Sequence, residues 1–426
     1  RLGAQARLRT RIASAKRSAS EQPKPNTRCN PARQYIYRGK HIMTANHMHA
    51  NWSFPTSVRF GAGRISELAQ SARAAGMLRP LLVTDRGLAD NPIVAEALAV
   101  LAADGLKATL FTGVDPNPTD LNLAQGIATF TSGGHDGVVA MGGGSALDLG
   151  KLVAFMCKQT RPVWDFEDIG DWWTRADASV IAPIVAVPTT AGTGSEVGRA
   201  GVLTNSATQV KKIIFHPKVL PTIVICDPVL TVGMPVGITV GTGMDALIHC
   251  LEAYCTPSYH PLAQGIALEG MRLVIENLPK VHAQPDDIEA RGHMMSAAAM
   301  GATAFQKGLG AIHALSHPVG ARHHTHHGTT NAVVMPVVLA HNRSVIAERL
   351  AAAAAYIGVG QDYDAFIAHI MSMRAALGVP DTLTELGVTN PDLNALAKDA
   401  LADPTAAANP VPLTLESVTR LYEQCL

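Results

Sequence analysis

A chain of 426 residues can hold two or three domains with sizeable cores, and its formal charge of +1 gives no argument for a nucleic-acid or acidic-membrane partner. Hydrophobic residues make up 47 %, few of them aromatic, which fits a helix-rich soluble protein; no uninterrupted apolar run approaches the roughly 20 residues a bilayer needs. The six cysteines, at 29, 157, 226, 250, 255 and 425, lack a paired short spacing, which favours reduced thiols in a cytoplasmic setting over a disulfide framework or zinc ribbon.

Residues 1–48 carry eleven Lys/Arg against one acid, Glu21, among Ser, Ala, Pro and Asn without a hydrophobic period, so a disordered basic leader is expected. Such a segment resembles a mitochondrial transit peptide, but the chain opens with Arg and its first methionine is Met43, so an extension of the gene model fits as well. From Phe54 to Cys226, short β-rich runs alternate with amphipathic helical stretches, the pattern of an α/β layer with mostly parallel strands. Strands are predicted at 80–85, from 108 toward the Asp115–Thr119 turn, at 137–142 and at 184–190. After Asp227-Pro228 the strands stop, and helices are predicted one after another, including 262–277, 288–304 and 345–357. The organisation expected is a leader over 1–48, an α/β domain over 49–230 and an all-helical domain over 231–426.

Directly after the third predicted strand comes Gly142-Gly143-Gly144-Ser145-Ala-Leu-Asp148, opening a helix. Glycines let the backbone approach a pyrophosphate, and the helix N-terminus offers free N–H donors with partial positive charge. A glycine run at such a turn also serves plain turn geometry, and this one is neither the spaced dinucleotide fingerprint nor a phosphate loop. A second loop, Pro188-Thr189-Thr190-Ala191-Gly192-Thr193-Gly194-Ser195-Glu196, also leaves a strand and carries hydroxyls suited to phosphate or ribose. Asp85, ending the first of these strands, is placed to accept bonds from ribose hydroxyls and to repel a 2′-phosphate, favouring NAD over NADP; a helix-capping aspartate is the alternative.

Asp245 and His249 are four apart on an apolar helix, so both side chains share a face. His313 and His317 repeat the spacing before Pro318 and Gly320, which are expected to disturb the helix, and His327 follows in an expected loop signalled by Thr325, Gly328 and Thr329. A lone histidine on an apolar face is usually a hydrogen-bonded core residue, and His323, His324 and His326 make the segment simply histidine-rich. Two i,i+4 pairs and a further histidine beyond them weigh toward a metal centre of Asp245, His249, His313 and His327. One carboxylate with three imidazoles suits iron(II) or zinc rather than calcium or magnesium.

These stretches, with Gly243-Met-Asp245-Ala-Leu-Ile-His249 and Gly308-Leu-Gly-Ala-Ile-His313-Ala-Leu-Ser-His317-Pro, resemble the iron-containing, group III alcohol dehydrogenases from about residue 54 to the C-terminus. The resemblance implies a Rossmann-like N-terminal domain with a mostly parallel sheet, an all-helical C-terminal metal-binding domain in the dehydroquinate synthase-like arrangement, and a site in the cleft between. It implies the metal ligands already named and NAD(P) contacts from Asp85, Asn117, Gly143, Gly144, Ser145, Asp148, Thr189, Thr190, Thr193 and Lys211. It gives His317 a catalytic part as a proton relay or supporting group, against the alternative of a residue ending a helix. A homodimer or larger assembly is implied as well.

The expected reaction is metal-dependent hydride transfer between NAD and a small alcohol or aldehyde. Arg199 and Lys307, expected near the cleft, are candidates for holding the carboxylate of an ω-hydroxy acid such as 4-hydroxybutyrate, against the alternative of solvated surface cations. A hydroxyacid-oxoacid transhydrogenase or a maleylacetate reductase are the alternatives on the same fold. A non-catalytic nucleotide- or metal-binding protein would show a damaged ligand set, and none of the four ligands is missing.

Overall fold

The computed structural model describes residue 54 and residues 56–426 apart from 209; the basic leader expected over 1–48 lies outside the described residues. The N-terminal part runs β1 (Ser57–Phe60), α1 (Leu68–Ala74), β2 (Pro80–Asp85), α2 (Pro92–Ala103), β3 (Thr109–Val114), α3 (Asp120–Ser132), β4 (Gly137–Gly142), α4 (Gly144–Met156), β5 (Ile184–Pro188), β6 (Ala200–Asn205), β7 (Val210–Phe215) and β8 (Ile223–Cys226). Helices follow: α5 (Val236–Cys255), α6 (Pro261–Ala283), α7 (Ile288–Ala304), α8 (Ala311–His323), α9 (His327–Ile357), α10 (Tyr363–Ala376), α11 (Leu393–Ala402) and α12 (Leu415–Cys425).

Six strands form one parallel sheet in the order β1-β8-β5-β4-β2-β3, and β6 and β7 pair as a separate antiparallel hairpin. Its central strands are apolar at nearly every position because both faces are covered. Leu81, Val83, Val138, Ala140, Ile184 and Ala186 turn to the core shared with the helical half. Their alternates Leu82, Val139, Met141, Val185 and Val187 pack under α1 and α2. From β2 the chain goes to β3 on one side and then to β4 on the other, so strand order reverses between β2 and β4. The carboxyl ends of those two strands are therefore the switch point at which open α/β sheets bind ligands.

Two local expectations are corrected. Helix α8 continues through Pro318 to His323 and ends only where His324 takes a left-handed φ of 56°. The proline removes one backbone donor, but the helix is buried from Ala311 to Gly320 apart from His317, and its packing outweighs that loss. His327 is the first residue of a helix rather than part of a loop: the preceding His326 accepts the Thr329 N–H and caps α9, which also extends the helix predicted at 345–357 back to residue 327. Among the described residues, no helix is long and apolar enough to cross a membrane.

Candidate active site

Gly142 ends β4 and Asp85 ends β2, so the sheet sets them side by side: a β-carbon added to Gly142 would lie 3.2 Å from Asp85 Oδ2. The Asp85 Oδ1 also accepts the Leu88 N–H, a turn role that leaves the second oxygen facing the glycine turn. Gly143 precedes α4 with extended backbone, and Gly144 opens the helix. The Thr189–Thr193 loop packs directly on this turn. Any side chain at Gly144 would press within 2.6 Å of Thr193 Cγ2, and one at Gly143 would meet Thr190 at 3.3 Å, while the Thr189 N–H donates to Gly142 O at 3.0 Å. Ser145 Oγ donates to Pro116 O, which brings the Asn117 loop to the same rim.

Asp148 plays a different part from a solvent-facing ligand. Its carboxylate accepts from Ser195 Oγ and from Val202 N, and pairs with the buried Lys151 at 3.2 Å. Lys151 donates in turn to the Ser195 and Ala200 carbonyls. One ion pair thus staples the Ser195–Ala200 turn against α4. Lys211, on β7, stands between the two halves of the site: burial pushes its ammonium down, while Asp148, Asp245 and Asp403 pull it back.

On α5 the spacing of 0, 4 and 7 puts Asp245, His249 and Glu252 on one face. Helix α8 brings His313 and His317 to it, and the first turn of α9 brings His327. That turn approaches closely because residue 328 is glycine: a β-carbon there would lie 2.1 Å from Gly241 O and 2.9 Å from Asp245 Cβ. Three Nε2 atoms surround one carboxylate oxygen, with Asp245 Oδ1 at 3.6 Å from His327, 3.7 Å from His313 and 3.9 Å from His249. Donors about 2.1 Å from one ion stand roughly 3.4 Å apart at tetrahedral angles, so the distances of His313 and His327 from Asp245 suit a shared metal, while His249 stands slightly wider. Asp245, His313 and His327 offer atoms all within 4.8 Å of one another. His249 lies beside that trio, stacked on His313 at 4.8 Å and 13°.

The protonation states also suit a cation. Burial opposes the Asp245 carboxylate, but His249, His327 and His313 outweigh it and hold the group well below its usual range. Burial pushes His249 down to about 4 and His327 well below its ordinary value, leaving both as free bases at neutral pH. His313 is the exception: burial lowers it, but bonds to Asp245 and Glu252 prevail and carry it to about 9. Glu252 fixes that ring, accepting from Nδ1 at 2.6 Å and from the Ile312 N–H at 2.7 Å, which leaves Nε2 turned to Asp245.

His317 hydrogen-bonds through Nδ1 to Asp403 Oδ2 at 2.7 Å and stacks on His327 at 5.2 Å. Asn331 reaches the centre of the cluster, its Nδ2 lying 2.8 Å from Asp245 Oδ1 and 3.2 Å from both His313 and His327 Nε2. Glu252, Asn331 and Asp403 were absent from the sequence-based site. The first two carried a signal, since Glu252 continues the Asp245–His249 face and Asn331 follows His327 by four. Asp403 carried none, lying 86 residues beyond its partner.

Beside the cluster lies a cavity of about 430 Å³. Its wall includes Phe305, which packs edge-on against His249 at 5.2 Å, Thr405, bonded to Asp403, and Val197, Gly198 and Arg199 from the stapled turn. The expectation for Lys307 is corrected. The residue is 4 % exposed, and its ammonium donates to Ala253 O, Tyr254 O, Thr256 O and Thr256 Oγ1, satisfying the carbonyls that end α5, so no donor remains for a substrate.

Two family models match, one described as iron-containing alcohol dehydrogenase over residues 55–228 and one as the C-terminal part of the Fe-containing alcohol dehydrogenase family over residues 239–426. A 4-hydroxybutyrate dehydrogenase of Cupriavidus necator is 37% identical over 383 residues, spanning 87% of this chain and 98% of that protein. The crystal structure of a 1,3-propanediol oxidoreductase superposes with a TM-score of 0.84 at 34% identity, covering 89% of this chain and 100% of that one. A sulfoacetaldehyde reductase from Bifidobacterium kashiwanohense, solved in complex with NAD+, matches with a TM-score of 0.79 at 30% identity, covering 89% and 99%.

Proposed function

The chain belongs to the iron-containing alcohol dehydrogenase family and is an oxidoreductase; from that premise we propose that it moves a hydride between NAD and a small primary alcohol or its aldehyde. The proposed metal is iron(II), held by Asp245, His249, His313 and His327. The single observation that carries this reading is the convergence of three imidazole Nε2 atoms, 3.6 to 3.9 Å away, on one Asp245 oxygen of the helix against which the Gly192 loop packs.

A metal bound there supplies Lewis acidity that makes an alcohol hydroxyl easier to deprotonate, and NAD supplies the hydride acceptor. The chain's own residues do the rest. Glu252 holds a proton on His313 Nδ1 and keeps Nε2 basic toward the cluster. His317, its Nδ1 fixed on Asp403 and its ring partly exposed, has Nε2 available to take the hydroxyl proton and pass it outward. Glycines 143 and 144 with the α4 N-terminus suit the pyrophosphate, and Thr189, Thr190 and Thr193 line the same turn. Asn117 and Lys211 extend the proposed cofactor surface, while Asp148 contributes by anchoring the Ser195 turn.

Asp85 favours NAD over NADP, since its carboxylate at the switch point would repel a 2′-phosphate. The adjacent cation, Arg86, is turned to Asp115 at 3.0 Å. The identity to a 4-hydroxybutyrate dehydrogenase supports an ω-hydroxy acid as substrate. A division near residue 230 into cofactor and metal domains, a homodimer or larger assembly, and a cytoplasmic setting complete the reading; the last is supported by the free cysteines among the described residues.

The test is anaerobic reconstitution with iron(II) or zinc(II), followed by an NADH absorbance assay over primary alcohols and ω-hydroxy acids with NAD or NADP. Free NADH accumulating fastest with iron and NAD supports the reading and separates it from transhydrogenation. Absence of NAD-linked turnover with either metal contradicts it.

A further inference from the structure

Among the described residues, the cations near the cleft are occupied, with one exception. Lys151 is bound to Asp148 and two carbonyls, Lys307 closes α5, and Lys211 sits among three carboxylates. Arg199 forms no ion pair among the described residues. Its guanidinium lies over the Phe215 ring, 5.3 Å from the centroid, and Trp173 backs that ring edge-on at 6.5 Å. An aromatic shelf of this kind orients a planar guanidinium while leaving its in-plane N–H groups open.

Arg199 is the one cation lining the 430 Å³ cavity among the described residues, and Asp168 is the one anion. The position of Asp168 is set by β7, because its backbone N–H donates to Ile213 O at 2.8 Å and the preceding Glu167 bridges to Ile214. Loss of water raises the Asp168 carboxyl and the Arg199 charge lowers it, so the two groups sense each other across the cavity wall without forming a contact pair. The remaining wall is largely apolar, with Phe305 leading to His249.

We infer that Arg199 and Asp168 together set the charge preference of the substrate pocket, Arg199 binding the carboxylate of an ω-hydroxy acid and Asp168 opposing it, which narrows the preference for the acid over a neutral diol of the same length. This rests on the dehydrogenase reading for the identity of the reaction. The charge logic itself does not: a carboxylate entering the cavity gains charge-assisted bonds from the guanidinium and meets repulsion from the aspartate.

The experiment uses the full-length, iron(II)-reconstituted protein, with 4-hydroxybutyrate and 1,4-butanediol as paired substrates. Butyrate, titrated by calorimetry, reads the pocket without turnover. Arg199→Met is expected to lower the kcat/KM ratio of hydroxy acid to diol, and the butyrate affinity, by about tenfold or more. Asp168→Asn is expected to move both quantities several-fold the other way. Ratios and affinities that stay fixed in both variants, or shift in the same direction in both, overturn the inference, as does a wild-type pocket that binds no butyrate. Opposite shifts in butyrate affinity in a protein that oxidises neither alcohol uphold the charge pair and overturn the dehydrogenase reading instead.

Discussion

Glu252 Oε2 and His313 Nδ1 are 2.6 Å apart, and the other oxygen of the same carboxylate takes the Ile312 N–H, so one side chain fixes both the ring and the backbone of the helix turn presenting it. Removing such a partner frees the imidazole to rotate and to change tautomer. Glu252→Ala is expected to weaken metal affinity by about 10- to 100-fold. Chelator competition measures it, and an unchanged affinity would show that His313 is oriented by other contacts.

Gly328 allows α9 to touch α5, with no room for even a methyl group between it and Gly241 O. Gly328→Ala is therefore expected to push His327 away from Asp245. The variant should bind less metal and unfold at a lower temperature, and a thermal melt with a metal count per chain checks both. Retention of both properties would mean the helices separate at no penalty.

Glu196 is buried, and desolvation raises its carboxyl from 4.5 to about 7, with its own backbone N–H and Lys151 opposing. Between those two pH values the folded chain holds more protons than the unfolded one, so stability falls as pH rises through the window and stays lower above it. The shift corresponds to about 3 kcal/mol. Glu196→Gln is expected to flatten the pH profile of denaturant unfolding between about 4.5 and 7. An identical slope in both proteins would sink the assignment.

Lys307 binds the end of α5, the helix bearing Asp245 and His249. Lys307→Met leaves buried carbonyls without donors, a loss of about 2–4 kcal/mol in unfolding free energy. Michaelis constants for hydroxy acids should hold. A stable variant with a raised KM for hydroxy acids alone would restore Lys307 as a substrate residue.

What the sequence made legible follows from period and spacing. Apolar runs such as Pro80–Asp85 and Gly137–Gly142 read as buried parallel strands because both faces are covered, and the i,i+4 pairs expose a helix face directly. The same spacing rule extended to seven would have reached Glu252. The direction of Lys307 was not legible: its chemistry fits a substrate carboxylate as well as a helix end, and tertiary packing alone decides between them. The helix across Pro318 and the start of α9 at His327 failed for a related reason, since Pro, Gly and Thr signal a break locally while burial and the His326 cap favour helix. Asp403 comes to His317 from a distant segment, which no local pattern encodes.

The most direct test of the metal centre is an anaerobic iron(II) titration of the wild type and Asp245→Asn, with iron counted per chain and alcohol oxidation followed in the same samples. The account predicts one tightly bound iron per wild-type chain, and loss of both iron and NAD-linked oxidation in Asp245→Asn. An Asp245→Asn protein that still binds one tight iron and oxidises alcohols at the wild-type rate would contradict it.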